Sequence, residues 1–259
     1  MLSHVSSGFS IFGLEISYYG ILMGIAFLVA ISIAVFNAKK RGMKGDDILL
    51  LAIYIIPLSI LGARTYFCIF SGNTYTFWQF FEIWNGGLAI LGGVIGGVIA
   101  IVLYCLIHKK SILKILDIAA PSLIIGQAIG RIGCFFAGCC YGVEVTNPAL
   151  HFFPVSIQID GVWHFATMFW ESAFCILGFV ALQLFFKRKP ATGAVASTYL
   201  CIYGAWRAIV ETFRGDSLMF FETGLKVSQV LSILLVIGGI IGLILIYTKH
   251  KKNEKVNHS

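Results

Sequence analysis

Apolar residues fall along this chain in runs of about 20, near 16–37, 47–68, 87–108, 115–136, 166–186, 192–212 and 227–247. A helix of that length crosses about 30 Å of hydrocarbon. Lipid offers the backbone no hydrogen-bond partner, so each run is predicted to be helical. The polar gaps between runs are not alike. Lys39, Lys40, Arg41 and Lys44 follow the first run, and Lys109, Lys110 and Lys114 follow the third. Lys187, Arg188 and Lys189 follow the fifth, and Lys249, Lys251, Lys252 and Lys255 follow the last. Fourteen of the 19 Lys and Arg residues thus occupy alternate gaps. Because basic residues mark the cytoplasmic side, the pattern predicts an all-α, polytopic membrane bundle of about seven transmembrane helices. Its N-terminus is expected outside and its C-terminus in the cytoplasm.

Composition sharpens this picture. Of 259 residues, 58% are hydrophobic and 12% charged, about half the charged fraction of a soluble domain. A net charge of +7 would otherwise suggest nucleic acid. Topology accounts for it, and no nucleic-acid partner is expected. No basic residue precedes the first run, so no cleaved signal peptide is expected. Without linkers or low-complexity stretches, residues 1–259 read as a single domain.

Five cations are left over: Arg64, Arg131, Arg207, Arg214 and Lys226. All fall at or near the outer ends of runs, where topology does not require them. Charge inside a membrane is costly and marks function by default, against the plain alternatives of snorkelling or a structural ion pair. In the sixth run Tyr203, Arg207, Glu211 and Arg214 are spaced four, four and three apart, within a helical arc of about 80°. Arg207 and Glu211 suit an i,i+4 pair, but one carboxylate cannot neutralise two arginines. A planar guanidinium fork is matched by phosphate, and membrane lipids supply phosphates at that depth.

Glycines form a second pattern. Gly86, Gly87, Gly92, Gly93, Gly96 and Gly97 lead into the third run, where small residues four apart favour close helix packing. Residues 130–142, GRIGCFFAGCCYG, are dense enough in glycine to predict an irregular segment beside Arg131, and this segment reads as a site wall. Cys134, Cys139 and Cys140 cluster there. Packing of a distorted turn is the plain reading. Zinc would need a fourth ligand such as His151 or His164, and no metal or cofactor is expected.

These residues, taken in order, resemble the bacterial prolipoprotein diacylglyceryl transferase family. The resemblance rests on Tyr19-Gly20, Gly62-Ala63-Arg64, Asn85-Gly86-Gly87 with Gly92-Gly93, and Asp117 with Ala120-Pro121. It continues through Gly130-Arg131-x-Gly133, Ile159-Asp160-Gly161 with Thr167 and Glu171-Ser172, Tyr203-Gly204-x-x-Arg207 with Glu211 and Arg214, and Gly224 with Ser228-Gln229. Where the family usually has Asn, a second Asn and often Glu, this chain has Cys134, Ala137 and Cys139. Leu91 stands where members carry His or Tyr, and Ala166 and Trp170 where Pro and Tyr are usual. These differences bear on activity or substrate identity rather than on the fold.

The resemblance implies transfer of the diacylglyceryl group of phosphatidylglycerol to the lipobox cysteine thiol of a prolipoprotein. The product is a thioether, and glycerol phosphate is released. Catalytic roles then fall on Arg131, Arg207, Glu211 and Tyr19. Substrate contacts fall on Arg64, Gly133, Tyr203, Arg214, Glu171, Gly87 and Gly92. The expected partners are phosphatidylglycerol, the precursor's signal peptide with its lipobox cysteine, and membrane lipids. The expected location is the bacterial plasma membrane. An anionic-solute transporter and a non-catalytic lipid-binding paralogue are the competing readings.

Overall fold

The computed structural model describes residues 8–11, 14–71, 75–82, 86–214 and 226–257. Asn85 and Gly224, two of the motif positions above, lie outside them. The long helices are α1 (Tyr18–Lys40), α2 (Gly45–Phe70), α4 (Ile90–Ile107), α5 (Ile112–Phe136), α6 (Thr167–Lys187), α7 (Ala194–Glu211) and α8 (Val227–Asn257), with a short α3 at Phe77–Phe81. Six of them, all but α7, are long and apolar enough to cross a membrane. At 18 residues α7 is as long as α4, but Ser197, Thr198, Arg207 and Glu211 lower its hydropathy. The seven expected runs therefore all form helices, and one of them carries a polar face. Leu28, Ile53, Ile90 and Leu177 are widely exposed on the helices, as residues in contact with lipid are.

Two short antiparallel hairpins had no counterpart in the hydrophobic pattern. Strands β1 (Gly8–Ile11) and β2 (Leu14–Ser17) form one, and β3 (Ser156–Ile159) and β4 (Val162–Phe165) the other. Four-residue strands carry too little alternation to stand out between apolar runs of about 20.

The described chain groups into two compact units, Ala34–Ile115 on the one hand and Met1–Ile33 with Leu116–Ser259 on the other. Within the first, α2 and α4 touch backbone to backbone. A Cβ on Gly62 or Gly92 would strike the other's carbonyl oxygen, and one on Gly96 would strike that of Leu58. The glycines here act as packing residues. Asp47 pairs with Lys110 at 2.9 Å and sits 3.5 Å from the Tyr104 hydroxyl.

Within the second unit, glycines on one face of α5 receive α1. Gly126 faces Ala30, Gly130 faces the Met23 sulfur, and Gly133 faces the Tyr19 ring. The expectation of an irregular 130–142 segment is thereby corrected: α5 stays helical through Phe136, and only the residues after it leave the helix. Gly130 and Gly133 serve a helix crossing rather than a break. Next, α6 docks on α5 by donating the Ser172 hydroxyl to the Ala128 carbonyl at 2.9 Å, and Gly178 admits Ile124. Close approach of α7 and α8 occurs at Gly204, beneath the Ser232 carbonyl, and at Gly239, against Ser197 and Cys201.

Candidate active site

Both ends of α7 are closed by groups from elsewhere in the chain. Its N-cap, Gly193, has φ 97° and no side chain to offer. Asp117 of α5, 1% exposed, takes that role, accepting Gly193 N–H at 2.7 Å and Ala196 N–H at 2.9 Å. A carboxylate there satisfies orphan donors and favours the positive end of the helix dipole. At the other end the Lys226 ammonium donates to the Glu211 carbonyl at 2.6 Å and to the Arg214 carbonyl. Lys226, one of the five leftover cations, is thus a C-terminal cap.

Between these caps, near the C-terminal end, α7 presents Arg207. Its guanidinium lies between two buried carboxylates. Nη1 donates to Glu171 Oε1 of α6, and Nη2 stands 2.7 Å from Glu211 Oε2, one turn along α7. Glu171 reaches with its second oxygen to Arg131 Nε of α5 at 2.8 Å. Three helices therefore meet in a chain of alternating charge, Arg131–Glu171–Arg207–Glu211. Glu171 and Glu211 are 3% and 1% exposed. The Arg131–Glu171 and Arg207–Glu211 contacts lack hydrogen-bond alignment, so charge rather than a directed hydrogen bond holds them. Among the described residues Arg131 spends only Nε on a carboxylate, and its side chain keeps 21% exposure. Its two terminal nitrogens have no carboxylate partner among the described residues.

The sixth run offers a single carboxylate to its two arginines, and a second one comes from another helix. Glu171 crosses from α6 to share Arg207, a pairing between helices that no spacing within the run could reveal. An acidic residue inside an apolar run was the available signal, since it requires a cationic partner. The placement of Arg214 is corrected. It lies past the end of α7, buried, in an antiparallel bridge with Gly142, and so leaves the face shared by Tyr203, Arg207 and Glu211. Tyr203 stacks on Tyr199 at 5.7 Å between ring centroids, and Tyr199 accepts a hydrogen bond from Gln127 at 2.9 Å. Tyr19 stands over Gly133 near Arg131 and the cysteines.

Arg64, Gly87 and Gly92 belong to the Ala34–Ile115 unit. Arg64 is buried and donates to four backbone carbonyls: Nε to Phe80 at 3.0 Å, Nη2 to Gln79 at 2.6 Å, and Nη1 to Gly86 at 2.6 Å and Gly87 at 3.1 Å. Gly87, at φ 76°, has no room for a side chain beside Phe67 and Arg64. These residues, with Tyr75, Gln79 and Glu82, line a cavity of about 340 Å³. Gly92 is occupied by its crossing with Gly62.

Beyond α5, Cys139 N–H donates to the Cys134 carbonyl at 3.1 Å, and Thr167 fixes the Cys140 carbonyl at 2.8 Å. A hydrogen bond from the Cys134 thiol pulls the Cys140 thiol down to about 5. Arg214 and Arg131 act in the same direction, and burial acts against them.

Comparison with known proteins shows the family. The family model described as prolipoprotein diacylglyceryl transferase matches residues 7–245. The chain is 37% identical to phosphatidylglycerol–prolipoprotein diacylglyceryl transferase 1 of Clostridium perfringens (strain 13 / Type A), over 95% of this chain and 96% of that protein. It is 38% identical to the phosphatidylglycerol–prolipoprotein diacylglyceryl transferase of Clostridioides difficile (strain 630), over 95% and 96%. Identity to the like-named protein of Finegoldia magna is 39%, over 94% and 95%. With its length matched almost from end to end, and with Arg131, Glu171, Arg207 and Glu211 of its motifs joined in one network, this chain belongs to the prolipoprotein diacylglyceryl transferase family.

Proposed function

We propose that this protein transfers the diacylglyceryl group of phosphatidylglycerol to the lipobox cysteine thiol in the signal peptide of a prolipoprotein, the first step of lipoprotein maturation. It does so as a multi-pass protein of the bacterial plasma membrane, with its N-terminus outside and its two compact units acting as one enzyme. The observation that carries the reading is the Arg131–Glu171–Arg207–Glu211 network, buried among apolar helices in a chain of this family.

The thiolate sulfur attacks the glyceryl methylene carbon that bears the phosphate. A C–S bond forms, the C–O bond to phosphate breaks, and its electron pair leaves with glycerol phosphate. Two needs follow. Charge building on the leaving phosphate calls for fixed cations, which the terminal nitrogens of Arg131 supply while Glu171 holds Arg131 and Arg207 in register. At about 4 Å and an effective dielectric near 20, one such charge pair is worth about 4 kcal/mol. That is about three decades in rate where the interaction strengthens in the transition state. The acceptor thiol must also lose its proton, and a cationic surround favours thiolate. Tyr19 and Tyr203 both stand near Arg131. Arg64 acts here by holding the carbonyls of Gln79, Phe80, Gly86 and Gly87, and Gly87 and Gly92 act by close packing.

The test is a transfer assay with purified protein in detergent, labelled phosphatidylglycerol and a lipobox peptide, with the thioether detected by mass. Arg131→Ala and Arg207→Ala are expected to abolish product while the proteins still insert. Arg131→Lys, which keeps the charge and loses the fork, should retain part of the activity. Normal lipidation by both alanine variants refutes the assignment.

A further inference from the structure

The end of α5 gathers three thiols. Cys134 lies in its last turn, Gly138 reverses the chain at φ 63°, and Cys139 and Cys140 return toward the helix. The Cys139 N–H bond to the Cys134 carbonyl and the Thr167 bond to the Cys140 carbonyl hold that return in place. The three Sγ atoms all lie within 4.8 Å of one another. The remaining cysteines, Cys68, Cys105, Cys175 and Cys201, are spread over α2, α4, α6 and α7.

Packing does not account for this convergence. Cys139 is exposed, yet its sulfur lies with the other two. A metal–sulfur bond of about 2.3 Å places sulfurs about 3.8 Å apart in a tetrahedral site and about 4.0 Å apart in a trigonal one. Closing from 4.8 Å needs less than an ångström of side-chain motion. Among the described residues no histidine or carboxylate joins the group at this range. An all-sulfur donor set selects soft ions over magnesium or calcium. Three thiolates also carry excess negative charge, and Arg131 and Arg214 stand close enough to Cys140 to offset it. The exposed side, at Cys139, leaves a coordination position open.

We propose that Cys134, Cys139 and Cys140 bind one thiophilic d10 cation, Cu(I) or Zn2+, through three thiolates. Binding forms three metal–sulfur bonds and releases the protons of the thiols to solvent. Cu(I) fits the trigonal arrangement alone, and Zn2+ completes a tetrahedron with water in the open position. An occupied site staples residues 134–140 one turn from Arg131. The site is independent of the transferase reading, and its test does not use activity.

The full-length protein, purified in detergent, reduced with a phosphine and stripped of metal, is titrated with Cu(I) and, separately, with Zn2+. Each titration runs against a chromophoric chelator of micromolar affinity. One ion per chain is expected. Loss of even an outer partner of a metal ligand weakens binding about 10–100-fold, so Cys134→Ser, Cys139→Ser and Cys140→Ser should each weaken it by at least that much. A variant with Cys68, Cys105, Cys175 and Cys201 all changed to Ser should bind as the parent does. Cys139→Ser changes an exposed side chain, so a normal gel-filtration profile for that variant keeps the test valid if the buried variants fold poorly. Uptake of Cu(I) alone identifies the trigonal site, and uptake of Zn2+ the tetrahedral one. Failure of the protein to compete with the chelator for either ion overturns the proposal, as does uptake that survives loss of the trio. A disulfide within the trio as isolated, with no metal uptake after reduction, overturns it too.

Discussion

Replacing Glu171 by Gln removes one negative charge from the centre of the four-residue network and leaves its shape intact. In the parent, Glu171 serves Arg131 at 2.8 Å and Arg207 through a direct hydrogen bond, while Arg207 keeps Glu211 at 2.7 Å. After substitution Arg207 retains a carboxylate and Arg131 does not. Breaking a buried pair by removing one partner costs about 3–5 kcal/mol, because the other charge is stranded. For a chain of this size about 1 kcal/mol shifts the melting temperature by roughly 2–4 °C, so Glu171→Gln should melt about 10 °C lower in a neutral detergent. The stranded Arg131 then becomes a better anion site. Phosphatidylglycerol at about 100 times its Kd returns about 2.7 kcal/mol to whichever state binds it. Added phosphatidylglycerol should therefore raise the melting temperature of Glu171→Gln by more than it raises that of the parent, and phosphatidylcholine should not discriminate between them. The assay is thermal unfolding followed by intrinsic fluorescence across a lipid titration. A variant that melts within about 2 °C of the parent, or that gains no more than the parent from phosphatidylglycerol, refutes the idea that Glu171 neutralises Arg131 at the expense of phosphate.

Four further outcomes follow from other contacts. Gly96→Ala places a methyl group against the Leu58 carbonyl, whereas the Cβ of Gly93→Ala meets nothing nearer than 3.7 Å. The first should cost about 1–3 kcal/mol of stability by overpacking and the second far less, as paired melts would show. Asp117→Ala strips two acceptors from the start of α7 and should cost about 1–2 kcal/mol, with faster amide exchange at Gly193 and Ala196. Arg64→Lys keeps the charge and loses the fork. Hydrogen bonds to charged groups are worth about 1.5–3 kcal/mol each, so the backbone at Gln79–Phe80 and at Gly86–Gly87 should be cleaved faster by protease in the variant. Lys110→Ala breaks a partly exposed pair with Asp47 and should change stability by less than about 1 kcal/mol.

Much of the fold was legible in the hydrophobic pattern because the bilayer imposes a length on each helix. All seven runs became helices, most with ends shifted by a few residues, and α8 runs on through the basic tail to Asn257. The hairpins at 8–17 and 156–165 escaped because four-residue strands sit below the length at which alternation is distinct. Among the site residues, Arg131, Arg207 and Glu211 stood out as charges in an apolar setting, and they do meet. Their mutual partner was harder to see. Glu171 was legible as a costly carboxylate, but a contact between α6 and α7 depends on which faces the helices turn to each other, and the glycines and Ser172 decide that. Arg64 and Lys226 looked like anion ligands for the same electrostatic reason as Arg131. Only the path of the backbone shows that carbonyl oxygens occupy them. Arg214 kept the helical phase of its neighbours on paper because nothing in its spacing records that α7 ends at Glu211.

The two caps on α7 have a consequence for how this chain can change length. Asp117 grips the helix at Gly193 and Ala196, and Lys226 grips it at Glu211 and Arg214. Between those grips the helix behaves as a spindle seated in two bearings. Deleting one residue from it would draw one end in by about 1.5 Å and turn it by about 100°. Either a bearing empties or Arg207 swings away from Glu171. The 18 residues of α7 therefore form a fixed gauge that sets the depth and azimuth of the guanidinium.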